Sequence, residues 1–158
     1  MTQSYDLIII GAGPAGIFTA LETLKLRPGA RVLVVDEGLE LSKRVCPARK
    51  LGCCVNCKPC NIMSGWAGAG AFSDGKLSLS EEVGGNLTEY LSVPQIRELI
   101  DYADGVYLDH GAPRKVFGLN DPKVDEIKYE CSRHNLKLIA CPVRHMGTEN
   151  GFGVLLAM

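Results

Sequence analysis

Apolar residues follow three rhythms along this chain, and each predicts a different element. Leu7–Ile10 is an unbroken aliphatic run, the pattern of a strand buried on both faces. From Pro14 onward Ile17, Ala20, Leu21 and Leu24 recur at helical spacing, predicting an amphipathic helix to Leu26. Arg27, Pro28 and Gly29 stop it, since proline and glycine do not continue a helix comfortably. Residues 31–35 form a second buried apolar run, closed by Asp36 and Glu37. Strand, turn, helix and strand in this order predict a βαβ unit.

The later pattern is more mixed. Residues 81–85 are polar and mark a break, so the chain is expected to divide into residues 1–80 and a mixed α/β segment, 81–158. Ile96, Leu99 and Ile100 predict a helix over 94–102, and 106–108 reads as the start of a strand. Asn120, Asp121 and Pro122 make a helix start, a capping side chain followed by a first-turn proline. That helix should reach His134 and bury Val124, Ile127 and Cys131. A short strand over 136–140 and a helix over 148–158 complete the expected α/β fold. No internal repeat or low-complexity tract interrupts it.

The turn between the first strand and helix reads Gly11-Ala12-Gly13-Pro14-Ala15-Gly16. Gly11 permits a tight turn, Gly13 removes a side chain where a pyrophosphate would approach, and Gly16 lets the helix pack closely on the sheet. Pro14 suits the first helical turn because its missing N–H would have no intrahelical partner. With Ala15 it leaves the positive end of the helix facing an anion. Asp36 follows Gly16 by twenty residues, the position from which a carboxylate accepts ribose hydroxyls and repels a 2′-phosphate. Glu37 stands beside it. Glycine-rich turns also occur as purely structural features; here the flanking elements, the helix stop and the terminal acid all agree with a dinucleotide.

Composition narrows the class. The chain has 158 residues, 46% of them hydrophobic, and a formal net charge of −1. That is enough for a domain with a core, and it gives no electrostatic reason to expect nucleic acid or an acidic membrane as partner. The basic run 43–50 reads as a solvated loop, with a phosphate-facing patch as the alternative. The N-terminus lacks the features of a secretory leader, and the apolar run 7–21 is too short and too interrupted to span a membrane. The expectation is a cytoplasmic protein, in which seven cysteines serve as thiols, metal ligands or redox groups rather than as a disulfide scaffold.

The forms DLIIIGAGPAG and VLVVDEG resemble the N-terminal unit of FAD-containing oxidoreductases more than that of NAD dehydrogenases, with Asp36 where that family usually carries glutamate. The cysteine segment, the following GWAGAGAFSDGKL and the later PVRHMGTEN resemble a little-characterised family of FAD-dependent dehydrogenases across nearly the whole chain. Ala67 stands where that pattern more usually has glycine. The resemblance implies a Rossmann-like FAD/NAD(P)-binding core and an FAD-dependent oxidoreductase acting on a small-molecule substrate. It implies that the 65–76 segment lies along the flavin, with Gly68, Gly70, Ser73 and Lys76 among its contacts; a packed turn is the alternative. It also implies a longer chain, so the flavin site would be completed by a further region or by a protein partner.

Cys54, Cys57 and Cys60 are spaced C-x2-C-x2-C, with Cys46 upstream. Four thiolates suit an iron–sulfur cluster or zinc, although the order differs from that of ferredoxins. A redox pair, Cys54 with Cys57 or Cys57 with Cys60, and reduced packing residues remain open beside the metal reading. A non-enzymatic metal-binding module on the same scaffold is therefore the alternative function, and an NAD-binding protein a third. Cys131 and Cys141 read as buried small hydrophobes. His110 and His134 suit surface or capping roles. Arg144 and His145 suit either an anionic substrate or the anchoring of a turn.

Overall fold

The computed structural model describes residues 4–158. The chain forms two compact units, one ending at Ser73 and the other spanning Asp74–Ala157. No helix among the described residues is long and apolar enough to cross a membrane.

In the first unit β1 (Leu7–Ile10) pairs in parallel with β2 (Val32–Val35), Leu7 opposite Val32 and Ile10 opposite Val35. Between them runs α1 (Pro14–Leu26), which starts with Pro14 in its first turn and closes on Arg27. Ile9 and Ile17 are buried. The other face of the strands is open: Ile8 is 56% and Ile10 80% exposed, and Val35 is exposed as well. The expectation of a strand buried on both faces is thus corrected. Side chains alternate across a strand, and only the face that carries Ile9 is covered.

After β2 a 3-10 turn (Leu41–Lys43) and a short helix α2 (Ala48–Leu51) lead into the cysteine segment. The chain returns to the stretch just after β2 through an isolated parallel bridge between Leu39 and Gly65. A second 3-10 turn, Gly68–Phe72, follows.

The second unit is α/β as well. β3 (Lys76–Ser78), β4 (Val116–Phe117) and β5 (Val143–His145) form an antiparallel sheet in the order β3-β5-β4. Three helices accompany it: α3 (Val93–Asp109), α4 (Pro122–Arg133) and α5 (Gly147–Ala157). Lys76 therefore belongs to the second unit.

Several expected elements are redrawn. Residues 106–108 continue α3 instead of starting a strand. The buried Ile96 is followed at helical spacing by the half-buried Ile100, Ala103 and Tyr107, so the helical face outlasts the short β-like run. A capping box between Ser92 and Gln95 starts this helix, and His110 caps its end, with its Nδ1 at 2.7 Å from the Val106 carbonyl. Asp121 caps α4 through the Lys123 N–H at 3.0 Å, as its position before Pro122 suggested. Yet α4 buries none of its residues fully, and Ile127 is 51% exposed. Residues 136–140 form no strand, because both β3 and β4 pair with residues 143–145 instead. Cys131 and Cys141 are half-buried.

Arg144 is buried, and its fork meets both carboxylate oxygens of Asp104 on α3, with Nη2 to Oδ2 at 2.6 Å; Nη1 also donates to the Pro113 carbonyl at 2.5 Å. The side chain is 5% exposed and that of Asp104 14%. Arg144 is thus committed to joining β5, α3 and the 113 turn. Removing one partner of a buried pair leaves an uncompensated charge. Asp104→Ala should lower unfolding free energy by about 3 kcal/mol, measured by urea denaturation; a loss below about 1 kcal/mol, the surface-pair range, would refute this role.

Candidate functional site

The three glycines of the first turn occupy three different steric situations. Gly11 has φ +103°, a left-handed conformation that disfavours any side chain. A β-carbon on Gly16 would lie 1.9 Å from the Gly11 carbonyl oxygen and 3.4 Å from the Ile9 side chain. At Gly13 a β-carbon would meet nothing within 4 Å. The backbone of Gly13 therefore faces open space at the head of α1, where Pro14 and Ala15 are exposed. This is the arrangement a phosphate-binding turn needs: a strained corner, a tight helix contact and an unobstructed N-terminus.

Asp36 fastens the end of β2 to that turn, while Glu37 and Arg44 hold the 61–68 stretch. The Asp36 carboxylate accepts the Ala12 N–H and the Gly38 N–H, each at 2.8 Å. The Ala12 and Gly38 amides hold Asp36 below the ordinary aspartate range, and the Gly65 amide and the Arg44 charge add to them, while burial opposes. Glu37 accepts the Ser64 hydroxyl at 2.6 Å and is exposed.

Arg44 was read from sequence as part of a solvated basic loop, and the structure corrects this. It is 3% exposed. Its guanidinium donates to the carbonyls of Asn61 at 3.0 Å, Ile62 at 2.6 Å, Trp66 at 2.6 Å and Gly68 at 2.9 Å. It also lies 4.8 Å from the Phe72 ring centroid. Burial pulls its pKa down, and the Asp36 charge opposes that pull. Nothing in hydrophobic periodicity marks an arginine for such a position; the available signal was a fork-shaped donor at the head of a loop without an apolar core of its own.

The glycine-rich return meets the first turn directly. Ala67 N–H donates to the Ala12 carbonyl at 2.7 Å, and a β-carbon on Gly68 would stand 3.4 Å from the Gly13 Cα. Gly38 and Gly65 face one another so closely that a β-carbon on Gly38 would lie 2.3 Å from the Gly65 nitrogen. Nothing in the local sequence marks Gly38 for this close approach. Ala67 is buried at φ +67°, a left-handed conformation that glycine adopts at less cost than alanine.

Gly11, Gly13, Pro14, Ala15, Gly16, Asp36, Glu37 and Gly68 thus lie in one neighbourhood. Gly70 follows in the exposed part of the 3-10 turn, its carbonyl accepting the Ser73 hydroxyl at 2.8 Å. Lys76 stands in β3 opposite His145 and is ion-paired with the exposed Asp74 at 2.7 Å.

Cys46, Cys54, Cys57 and Cys60 line one cavity of about 290 Å³, which Cys53 does not join. None of the seven cysteines is joined in a disulfide. Among the described residues, no group of three or more His, Cys, Asp or Glu side chains is arranged to hold a metal ion. The expected ligand set shares a cavity without forming a coordination shell.

Two outcomes follow. Gly16→Ala should cost about 1–3 kcal/mol through overpacking, whereas Gly13→Ala should cost no more than about 1 kcal/mol as an altered cap; equal losses in thermal denaturation would contradict the steric assignment. Because the folded pKa of Asp36 lies below its unfolded value of about 3.9, its contribution is complete above that value. It disappears as pH falls through the folded pKa. Asp36→Asn should therefore be less stable at neutral pH, and the gap to the unaltered protein should close on acidification below about pH 4. A gap that persists unchanged would show that the carboxylate charge is not what stabilises the turn.

No model of a known protein family matches this chain, and no solved structure does. A protein of Clostridium beijerinckii (strain ATCC 51743 / NCIMB 8052), described as "Uncharacterized protein", is 42% identical over 73 residues. The match covers 45% of this chain and 13% of that protein, so the chain is similar to a small part of a much longer one.

Proposed function

We propose that this chain is an FAD-dependent oxidoreductase or its N-terminal flavin-binding portion, built on a Rossmann-like core, cytoplasmic, and acting on a small-molecule substrate. The observation that carries the reading is the open backbone at Gly13, framed by the strained Gly11, the tightly packed Gly16 and the approach of Gly68. A β-carbon's worth of empty space beside a helix N-terminus fits a pyrophosphate.

In this reading the amides at the start of α1 bind the pyrophosphate, and Gly68 keeps the return loop low enough to leave room for it. Asp36 accepts ribose hydroxyls. A carboxylate offers about four acceptor positions, and the amides of Ala12 and Gly38 engage two of them. The remaining positions can serve a ribose, and the two amides preorganise the carboxylate for it. FAD, when bound, supplies the hydride or electron chemistry, while the protein supplies position and electrostatics. A further region of a longer chain or a protein partner completes the site.

The test is an absorption spectrum of the protein after incubation with FAD and desalting, for the unaltered chain and Gly13→Val. Retained flavin bands in the first and their loss in a folded variant are expected. Folded protein that retains no flavin, or retains it equally with valine at position 13, refutes the proposal. Retention of NADH fluorescence without flavin would assign the turn to a nicotinamide dinucleotide instead.

A further inference from the structure

The sheet of the second unit has two unlike faces. Arg144, in the middle of β5, turns inward to Asp104 and is buried. Its pairing partners Leu77 and Val116 share that face. The opposite face carries Lys76 and Ser78 of β3, Phe117 of β4 and His145 of β5, all exposed, around the half-buried Val143. The pleat thus divides a pair of neighbouring residues between two roles. Arg144 anchors the sheet, and His145 is left on the open side.

Register brings cationic groups together on that side. Lys76 stands directly opposite His145. The exposed Lys115 precedes Val116, whose partner is Arg144, so the antiparallel register carries Lys115 to the other flank of His145. Strands lie about 4.8 Å apart, which sets the two lysine backbones about 10 Å apart with the histidine between them. Phe117 organises two of the three groups. Its ring centroid is 6.3 Å from that of His145, edge to face, and 4.5 Å from the Lys115 Nζ.

Like charges directly opposite one another on paired strands repel, and the charge of this row is only partly offset. Asp74 pairs with Lys76 at 2.7 Å. Lys76 holds the Asp74 carboxyl below its ordinary range; burial opposes this, and the His145 charge adds a smaller pull. None of the ion pairs among the described residues uses Lys115 or His145.

We propose that this face of the sheet binds the phosphate group of a small phosphorylated molecule, with Lys115 and His145 as direct donors and Lys76 adding charge from the third strand. A phosphate dianion offsets the repulsion along the row, and its oxygens accept from an ammonium and from an imidazole N–H. Phe117 keeps Lys115 and His145 beside one another, and with Val143 it gives an apolar floor to the organic part of the ligand. The site lies wholly within the second unit and does not rest on flavin binding.

The test is a titration of the full chain with inorganic phosphate at constant ionic strength, followed by NMR of the three histidines. The His145 resonances should move and saturate while those of His110 and His134 stay in place. Lys115→Gln should raise the dissociation constant at least about tenfold, as loss of a hydrogen bond from a charged group does, and Lys115→Arg should restore it. Asp74→Asn should tighten binding roughly two- to fivefold, the worth of an exposed ion pair. A shift that never saturates, equal movement of all three histidines or unchanged affinity in Lys115→Gln overturns the site. Unchanged or weaker binding in Asp74→Asn removes Lys76 from it. Malonate binding as tightly as phosphate overturns the phosphate assignment in favour of a dicarboxylate.

Discussion

Opposite charges satisfied by backbone groups organise the first unit. Arg44 gathers carbonyls from residues 61, 62, 66 and 68, and Asp36 gathers amides from residues 12 and 38. Each acts as a hub for chain segments that make no regular hydrogen-bond ladder with one another. A buried guanidinium is costly unless its donors are used, and here all three nitrogens are. The mutual attraction of the two hubs reinforces both. The glycine turn, the end of β2 and the glycine-rich return are thereby fixed against each other, and the open space at Gly13 has defined walls.

Steric absence does the complementary part. Gly38 and Gly65 allow two backbone segments to approach as no side-chain-bearing pair would, which makes room for the Leu39 to Gly65 bridge. Ala67 holds a left-handed conformation at a cost that its buried methyl group partly offsets. A left-handed non-glycine residue costs about 1–2 kcal/mol, while a buried methyl contributes about 0.8 kcal/mol. Alanine is thus tolerable at this position, and glycine has only a small advantage.

The second unit uses a different device. Arg144 and Asp104 place a bidentate pair between sheet and helix, beside a short antiparallel sheet whose strands have only two or three residues. Strands this short carry few ladder bonds. One ion pair with the Pro113 carbonyl fixes the positions of β5, α3 and the intervening turn.

Local pattern was sufficient where an element's own residues decide its conformation. β1, α1 and the Asp121 cap follow from aliphatic runs, helical spacing and proline placement, and the steric needs of Gly11, Gly13 and Gly16 follow from their spacing. Exposure of Ile8 and Ile10, the continuation of α3 through residue 108 and the pairing of β3 and β4 with residues 143–145 depended on which neighbours were available, which no local window contains. Arg44 is the clearest case: in sequence it is one cation in a basic run, and only folding brings four carbonyls from the 61–68 stretch around it. The same holds for the cysteines, whose spacing left cluster, redox pair and packing open, while the path of the backbone brings Cys46, Cys54, Cys57 and Cys60 around one cavity and leaves Cys53 outside it.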